Sequence, residues 1–547
     1  MRLNWKKAGT ETIYRELPDN FRLPGFFFNR TAFYYMLLTF KKILLSKSVA
    51  RNILANYSTS ITAILLATLF TPIYIGYLGI EAFGIIGFIN SLLIFIGFLD
   101  LGIGSSINRE MARHYKTASQ SVYIYQLTNA LQIIYIAIGI FSALIFIGLS
   151  PFLATEWFNA KNTDIATVKY AFIILSITIA CRWPYSFFSS TLRGMQLQVL
   201  LNVHEIFWSV MRFVGCWVLL KYFNANLISF LWYQCIIIAL QTTGSFFLTW
   251  YFLPSVKNTP RFNFKVVRSI AGFAGSMGVG AILVAFIFET DKLVLSNILP
   301  GPQYGYYMFS VGLAVLVYNI SMPICMAVFP HFTRFFHDNK MDLLEQDFHK
   351  YTRILAVLLI PFSLILFTFT KEILWLWTKN EAIVTNTVNL IRIMLAGTVL
   401  HAFMAVPHVL LLAMGKTKFI IRSHAVALCL IVPLTIFLST HYGAKGGAIG
   451  YAVIFGGYFI VQAPLIIKFY LPGNIIKWYW NDILRIALPL ILFICSVLFL
   501  MPGKFYSGKA GLIFIPCLGI ILLLMAHKLS RLHLLQHVFT NLKHKSK

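Results

Sequence analysis

Ionisable side chains inside long apolar segments are the residues of this chain that could do chemistry. Arg182, Glu205 and Arg212 form the first group. A charge at the centre of a membrane helix costs roughly 2.5 to 3.5 kcal/mol, so each needs a partner or a water-filled cavity. Glu205 and Arg212 share a helix face about 10 Å apart, so they could line one cavity without neutralising each other. Arg212, midway along its segment, is the hardest to explain as an interfacial residue and predicts a functional site.

A second group of charges lies in the other half of the chain. Glu289, Asp291 and Lys292 end one apolar segment, and Glu289 and Lys292 are close enough on a helix to pair. An interfacial cluster at the segment end explains this group about as well as a functional site does. Arg392 lies about one turn inside a later segment and has the same two interpretations.

Two of the charges have structural explanations. Arg182 precedes Pro184 by two residues and could cap carbonyl groups that the proline frees. Asp100 lies near the inner end of its segment, where pairing with Arg109 or Arg113 would make it structural.

The elements that must hold these charges are membrane helices. Of 547 residues, 59% are hydrophobic and 12% are charged, and the mean hydropathy is +0.76. Soluble domains contain about 25% charged residues, so the composition indicates an all-α polytopic membrane protein. The formal charge of +27 could suggest nucleic acid, but the basic residues collect between the apolar segments, so we expect no nucleic-acid partner.

Fourteen apolar segments are long enough to span a membrane at roughly 20 residues each. With the N-terminus inside, thirty-three of the forty-five Lys and Arg residues lie on the cytoplasmic side, nine on the other side, and three within segments. This asymmetry predicts that both termini are cytoplasmic. The segments centre on residues 53–78, 83–103, 122–150, 167–192, 199–222, 227–252, 269–291, 304–332, 352–377, 387–413, 419–440, 446–470, 486–502 and 511–527.

Landmarks of the first half recur 220 to 223 residues later. Six helices per copy is an even number, so the copies share one orientation and form parallel repeats around a central cavity. The charged residues inside the segments do not recur at this offset, which suggests that they serve a function that differs between the two halves. Gly79 and Gly84 mark a predicted turn after the first helix, Gly305 is the predicted turn residue of the second copy, and Pro184 and Pro407 are predicted hinges. The matched pairs are Gly84 and Gly305, Pro184 and Pro407, Gly194 and Gly415, His204 and His424, and Tyr222 and Tyr442.

The repeat divides the chain into five predicted parts. Residues 52–255 and 256–470 are the two six-helix bundles, and residues 471–527 hold the extra helices 13 and 14. Residues 1–51 are a basic cytoplasmic tail with an interfacial helix over 31–45. Residues 528–547 are a second basic cytoplasmic tail.

Patterns of catalytic and metal sites are absent from the sequence. The seven cysteines lie in apolar runs without a CxxC pair, which is typical of packing residues. The residues Gly415, Lys416 and Thr417 resemble the end of a phosphate loop, but Leu410 stands where that motif requires glycine. We therefore expect no enzyme, no catalytic residue, no metal and no cofactor.

Three passages of the sequence resemble the polysaccharide-transporter family. They are TPIYIGYLGIEAFGIIGFINSLLIFIGFLDLGIGSSINRE from Thr71, ETDKLVLSNILPGPQYGYY from Glu289, and HYGAKGGAIGYAV from His441. The resemblance covers about residues 52–470. The family includes the Wzx-type flippases and belongs to a superfamily that also holds MATE multidrug exporters and the lipid II flippase MurJ. It implies a MATE-like fold of two six-helix bundles around a cavity.

The resemblance also implies a function. A Wzx-type flippase moves a polyprenyl-pyrophosphate-linked oligosaccharide, such as an O-antigen repeat unit, from the cytoplasmic to the periplasmic leaflet of the bacterial inner membrane. The implied partners are this lipid-linked substrate, membrane lipids and polysaccharide polymerase machinery, and coupling to H+ or Na+ is a further expectation. The hypothetical pyrophosphate-binding residues are Arg212, Arg182, Arg392 and Lys292, and the hypothetical ion-coupling residues are Glu205, Glu289 and Asp291.

Other members of the superfamily are the main alternatives. A MATE-type drug exporter would have 12 helices and a cavity for cationic, apolar compounds, whereas arginines favour anions. A MurJ-like protein typically begins directly at helix 1 and carries arginines in it, whereas this chain has a 50-residue lead and no charge between Asn52 and Ile80. A membrane polymerase or glycosyltransferase would need a larger outward loop than the sequence offers.

Overall fold

The computed structural model of the protein describes residues 49–98, 100, 102–115, 117–254, 256, 264–501 and 508–531. Nearly all of the two predicted basic tails, including the predicted interfacial helix over 31–45, lies outside the described residues. Within the described ranges the regular structure is entirely helical. The predicted all-α class is therefore confirmed.

Seven α-helices make up the first half of the described chain. A turn of π-helix extends the fourth of them to Trp157. They are α1 (Val49–Leu78), α2 (Ile80–Phe98), α3 (Ile103–His114), α4 (Ser121–Phe152), α5 (Ile165–Gly194), α6 (Gln198–Tyr222) and α7 (Leu227–Phe252).

Eleven α-helices make up the second half of the described chain. Segments of π-helix connect α15 to α16 and precede α17. The helices are α8 (Phe264–Ile298), α9 (Gly301–Asn319), α10 (Ser321–His337), α11 (Met341–Thr368), α12 (Thr370–Thr378), α13 (Glu381–Phe403), α14 (Ala405–Ala413), α15 (Thr417–Gly457), α16 (Ala463–Tyr470), α17 (Arg485–Leu500) and α18 (Gly508–Ser530).

The number of membrane-spanning helices agrees with the predicted fourteen. By length and composition, twelve helical stretches of the described chain can cross a membrane. One of them, residues 417–470, consists of two helices that meet at Gly443, where the backbone leaves the helical region (φ 57°, ψ −134°). Helix α8 is not among the twelve, but its 35 residues are about 52 Å long, enough to cross. Dividing the long stretch and adding α8 gives fourteen.

The repeat-related glycines Gly84 and Gly305 touch each other where α2 packs against α9. A Cβ atom on Gly84 would lie 3.0 Å from the Gly305 nitrogen, and one on Gly305 would lie 2.1 Å from the carbonyl oxygen of Ile80. Equivalent residues of two repeats related by a rotation axis meet only near that axis. The contact therefore supports parallel repeats whose axis passes between α2 and α9.

The predicted turn positions of these two glycines are wrong. Gly79, with φ +85°, forms the turn between α1 and α2. Gly84 lies in the helix that has already begun at Ile80, and Gly305 lies in the second turn of α9. Both positions need a small residue for close helix packing rather than for a positive φ.

The two halves are hydrogen-bonded at the end where α2 and α9 begin. The Gly301 amide donates to the carbonyl of Asn159 at 2.8 Å, and the Trp157 indole donates to the Ser296 hydroxyl at 3.0 Å. These two bonds and the contact between the repeat-related glycines form what we call the outer seam. The outer seam lies at the end that the charge distribution predicts to be periplasmic.

The predicted hinge prolines occupy different positions in the two halves. Pro184 is buried inside α5, which continues through it. Pro407 is buried in the first turn of α14, just after the break that ends α13 at Phe403. Their hinge role stays a prediction.

Candidate functional site

Arg182 and Arg212 line one cavity of about 280 Å³ in the first half of the molecule. Helices α5 and α6 supply the two arginines, and a tight turn at Gln196 (φ 62°) folds these helices back on each other. Helices α1, α2 and α7 complete the walls. Most of the lining is apolar, and its uncharged polar residues are Thr71, Tyr74, Asn90, Thr178 and Gln234.

Arg182 lines two cavities rather than one. The second cavity also has a volume of about 280 Å³, and its lining includes Asp100 and Tyr185. The residue is exposed although it lies midway along α5, because its surface opens into these cavities. Within the described part of the chain its guanidinium has no hydrogen bond or ion pair. The alternative that Arg182 caps carbonyl groups near Pro184 is therefore not supported.

The Arg212 guanidinium has only a neutral partner among the described residues. Its Nη2 donates to Gln241 Oε1 at 2.7 Å, whereas its buried Nε has no acceptor. A buried donor without an acceptor costs about 1 to 3 kcal/mol, and more in a charged group. The positive charge of Arg212 is thus available to a ligand in the cavity.

Glu205 does not share this cavity with Arg212. Its carboxylate lies 3.2 Å from Arg193 Nη2 and accepts a hydrogen bond of 3.0 Å from the Tyr185 hydroxyl. Among the described residues, the lining of the cavity that holds both arginines includes no acidic side chain. Its electrostatic character is therefore that of an anion site.

Asp100 faces the second cavity. The sequence alone did not predict that this residue would line a cavity. Its carboxylate accepts hydrogen bonds from the Tyr135 hydroxyl and, at 2.9 Å, from the Gly104 amide at the start of α3. Burial raises the pKa of the Asp100 carboxyl, and these two hydrogen bonds oppose the increase. An acidic residue shortly before a helix start is a typical capping signal, and this signal could have predicted the contact of Asp100 with the start of α3.

The predicted pairing of Asp100 with Arg109 or Arg113 is wrong. Both arginines lie on α3 beside Glu110, at 3.2 Å and 4.0 Å from its Oε1. The sequence prediction extended helix 2 through residue 103, but α2 ends at Phe98. Asp100 therefore lies beyond α2, where it contacts α3 and α4 instead of the two arginines.

Lys292 is neutralised by its own neighbours on α8. Its ammonium lies 3.3 Å from Glu289 Oε2 and 3.4 Å from Asp291 Oδ1, and it donates to the carbonyl of Phe288. The Tyr307 hydroxyl of α9 donates to Asp291 at 2.6 Å. The predicted pairing of Glu289 with Lys292 is confirmed. All three charged residues are buried, so they are not an exposed interfacial cluster.

Arg392 caps a helix instead of lining the arginine cavity. Its Nε donates to the carbonyl of Phe367 at 3.0 Å and its Nη2 to that of Thr368 at 3.1 Å. These are the last residues of α11, whose final carbonyl groups lack partners within the helix. The structure thus brings Arg182 and Arg212 together and brings neither Arg392 nor Lys292 to them.

Comparison with known proteins identifies the family. The family model described as polysaccharide biosynthesis protein matches residues 49–336, more than half of the chain. The chain belongs to the polysaccharide biosynthesis protein family. A second family model, MatE, matches residues 277–437. The resemblance to Wzx-type polysaccharide transporters of the MATE and MurJ superfamily is therefore confirmed, and the protein is a multi-pass membrane transporter of this superfamily.

Individual relatives of this polysaccharide biosynthesis protein are transporters and flippases. A proposed O-antigen transporter of Shigella flexneri is 22% identical over 380 residues, which are 69% of this chain and 87% of that protein. The lipid II flippase MurJ in an inward closed conformation has a TM-score of 0.67 at 15% identity, covering 86% of this chain and 97% of MurJ. An inward-facing MATE multidrug transporter has a TM-score of 0.62 at 13% identity, covering 75% and 96%. The two structural likenesses confirm the MATE-like fold.

Proposed function

We propose that this protein is a flippase that moves a polyprenyl-pyrophosphate-linked oligosaccharide from the cytoplasmic to the periplasmic leaflet of the bacterial inner membrane. The observation that carries the proposal is the cavity whose described lining contains two arginines and no acidic residue. A pyrophosphate diester carries two negative charges, which two guanidinium groups offset. Arginine binds phosphate oxygens through paired N–H donors, which gives geometric specificity as well as affinity.

The dimensions of the two cavities suggest how the substrate lies. A volume of about 280 Å³ accommodates a pyrophosphate group but not a whole oligosaccharide. The second cavity adjoins it and shares Leu93 and Arg182 with it. Arg182 then holds the pyrophosphate while the first sugars enter the second cavity beside Asp100. The prenyl chain stays in the lipid, where its apolar surface costs nothing to accommodate.

A drug exporter is a poorer fit to this cavity. Cationic, apolar drugs would be repelled by Arg182 and Arg212, and the cavity lining offers no carboxylate to attract them. Lipid II also carries a pyrophosphate, so it is the relevant competing substrate.

Deleting the protein tests the substrate class. We expect loss of surface polysaccharide and accumulation of lipid-linked oligosaccharide on the cytoplasmic side of the inner membrane, measured by extraction and glycan analysis. Unchanged drug susceptibility and unchanged peptidoglycan synthesis would exclude the exporter and lipid II alternatives. Undiminished surface polysaccharide in a strain without a second flippase would contradict the proposal.

Ion coupling is assigned to Glu289, Asp291 and Lys292 on α8. Two carboxylates and one ammonium leave one formal negative charge in a buried position, which is costly without a further cation. Glu289 Oε2 contacts the Lys292 ammonium at 3.3 Å, and among the described residues the buried hydroxyl of Tyr304 has no hydrogen-bond partner. A proton or Na+ at Glu289 would neutralise the cluster. Glu205, which Arg193 already neutralises, is the weaker candidate.

Glu289→Gln is expected to uncouple transport from the ion gradient. The substitution leaves Asp291 and Lys292 as a neutral pair, so the cluster no longer needs a cation. In proteoliposomes, transport by the variant should proceed at the same rate with and without an imposed H+ or Na+ gradient, each tested separately. Glu381→Gln, which removes an exposed carboxylate at the start of α13, should keep the wild-type response. A Glu289→Gln variant that still responds to both gradients would refute this assignment.

A further inference from the structure

A separate basic pocket lies where the second six-helix bundle meets the extra C-terminal helices. It has a volume of about 270 Å³ and forms where α11, the π-helical segment Lys477–Leu484, α17 and the end of α18 meet. Its lining shares no residue with the two cavities around Arg182. The lining residues are His349, Arg353, Lys477, Asn481, Asp482, Arg485, Leu529, Ser530 and Arg531.

The pocket has an excess of positive charge. Asp482 is the acidic residue in its lining, against the cations Arg353, Lys477, Arg485 and Arg531. Asp482 is already bound, because the ring Nδ1 of His349 hydrogen-bonds to it and Arg353 Nε lies 3.7 Å away.

Two of the cations have no compensating acid among the residues that the structure describes. Arg485 and Arg531 form no ion pair within the described ranges. Lys477 lies 3.6 Å from Glu345, but both side chains are substantially exposed, and such a pair contributes little. The pocket can therefore hold a ligand with more than one negative charge.

Buried contacts fix the walls of this pocket. His349 Nε2 lies 3.1 Å from Asn474 Oδ1, and Arg353 Nη1 donates to the carbonyl of Ser530 at 3.3 Å. Trp478 is fully buried and donates to the Thr352 hydroxyl at 3.3 Å. These bonds join α11 to the π-helical segment and to α18. The cations thus surround a shaped cavity instead of lying on an open surface.

We propose that this pocket binds the phosphate of an anionic ligand at the membrane face that the charge distribution predicts to be cytoplasmic. Basic pockets between membrane helices on that face are typical binding sites for anionic lipid headgroups. The outer surface of α17, which begins at the pocket, exposes Leu488, Leu492 and Phe499, so acyl chains have an adjacent apolar surface. The phosphate could belong to a phospholipid or to a soluble phosphate compound. The proposal does not depend on the transported substrate.

A double substitution, Lys477→Gln with Arg485→Gln, tests the site in the full-length protein. It removes two cations and leaves the contacts of His349, Arg353 and Asp482 in place. Native mass spectrometry in detergent would measure phosphatidylglycerol against phosphatidylcholine binding. Thermal unfolding with millimolar inorganic phosphate would measure the soluble ligand. We expect the affinity for the preferred probe to fall about 25-fold, which is about fivefold for each of the two cations.

The matched control is Lys418→Gln with Arg422→Gln. It removes the same charge from exposed positions of α15 outside the pocket and should change binding less than about twofold. A selective loss of phosphatidylglycerol binding identifies a lipid headgroup, and a selective loss of the inorganic phosphate effect identifies a soluble phosphate. Equal effects of the two double variants, or no binding of either probe to the wild type, would overturn the proposal. If the double variant misfolds, Lys477→Gln alone serves, since that residue is exposed.

Discussion

Replacing Arg212 by glutamine is expected to abolish transport of the lipid-linked oligosaccharide without unfolding the protein. Glutamine can still donate toward Gln241, the partner of Arg212 at 2.7 Å, but it supplies no charge to the pyrophosphate. A hydrogen bond to a charged group is worth about 1.5 to 3 kcal/mol, so affinity for the substrate should fall about 10-fold to 150-fold. Binding of purified lipid-linked oligosaccharide to the reconstituted protein measures this directly.

Three further variants make the test of Arg212 specific. Arg212→Lys keeps the charge but loses the paired donors, so its affinity for the substrate should lie between those of the wild type and of Arg212→Gln. Arg182→Gln should reduce the affinity for the substrate as much as Arg212→Gln does. The double variant should lose less binding free energy than the sum of the two single losses, because both residues contact one group. Lys221→Gln removes a charge from the last turn of the same helix and should transport normally. Normal transport by both single arginine-to-glutamine variants at wild-type expression would disprove the pyrophosphate site.

Gly305→Ala is expected to open the outer seam and to block the transport cycle. The new Cβ would lie 2.1 Å from the carbonyl oxygen of Ile80, which is a backbone atom that no side-chain rotation can move away. Helices α2 and α9 must then separate, at a cost of about 1 to 3 kcal/mol. A penalty of about 2 kcal/mol on the closed seam changes the ratio of closed to open molecules about 30-fold. Labelling of a cysteine that replaces the buried Ala82, near the start of α2, by an impermeant thiol reagent measures the opening.

Two other glycines provide graded controls for Gly305→Ala. A Cβ on Gly84 would lie 3.0 Å from its nearest neighbour, so Gly84→Ala should have a smaller effect of the same kind. Gly312 lies on the same helix with nothing within 4 Å, so Gly312→Ala should leave labelling and transport unchanged. Equal labelling of the Gly305→Ala and Gly312→Ala proteins would show that the glycine contact does not close the seam.

Much of the architecture is predictable from the sequence because a membrane restricts the backbone. Lipid offers no hydrogen bonds, so each spanning segment must be a helix, and its length and apolarity are visible in the sequence. The repeat offset that matches Gly84 with Gly305 also anticipates a relation that the structure shows as a direct contact. Of the two glycines predicted to mark the turn, Gly79 carries the positive φ, whereas Gly84 lies inside α2.

The roles of the charged residues were only partly predictable. The pair Glu289 and Lys292 could be read from its spacing because both residues lie on one helix, and local geometry places them together. The partners of Arg392 could not be predicted from sequence spacing, since Phe367 and Thr368 belong to a different helix.

The sequence by itself thus determined the class of protein, the number of helices, the repeat, and the rule that every buried charge needs a partner or a cavity. The tertiary structure decided whether each charged residue has a partner or faces a cavity. Arg392 has carbonyl partners and Lys292 has carboxylates, whereas Arg182 and Arg212 share a cavity without an acid. The reason is physical: hydrophobic length and helical hydrogen bonding are local properties of a segment, but the electrostatic surroundings of a side chain depend on which distant helices pack against it.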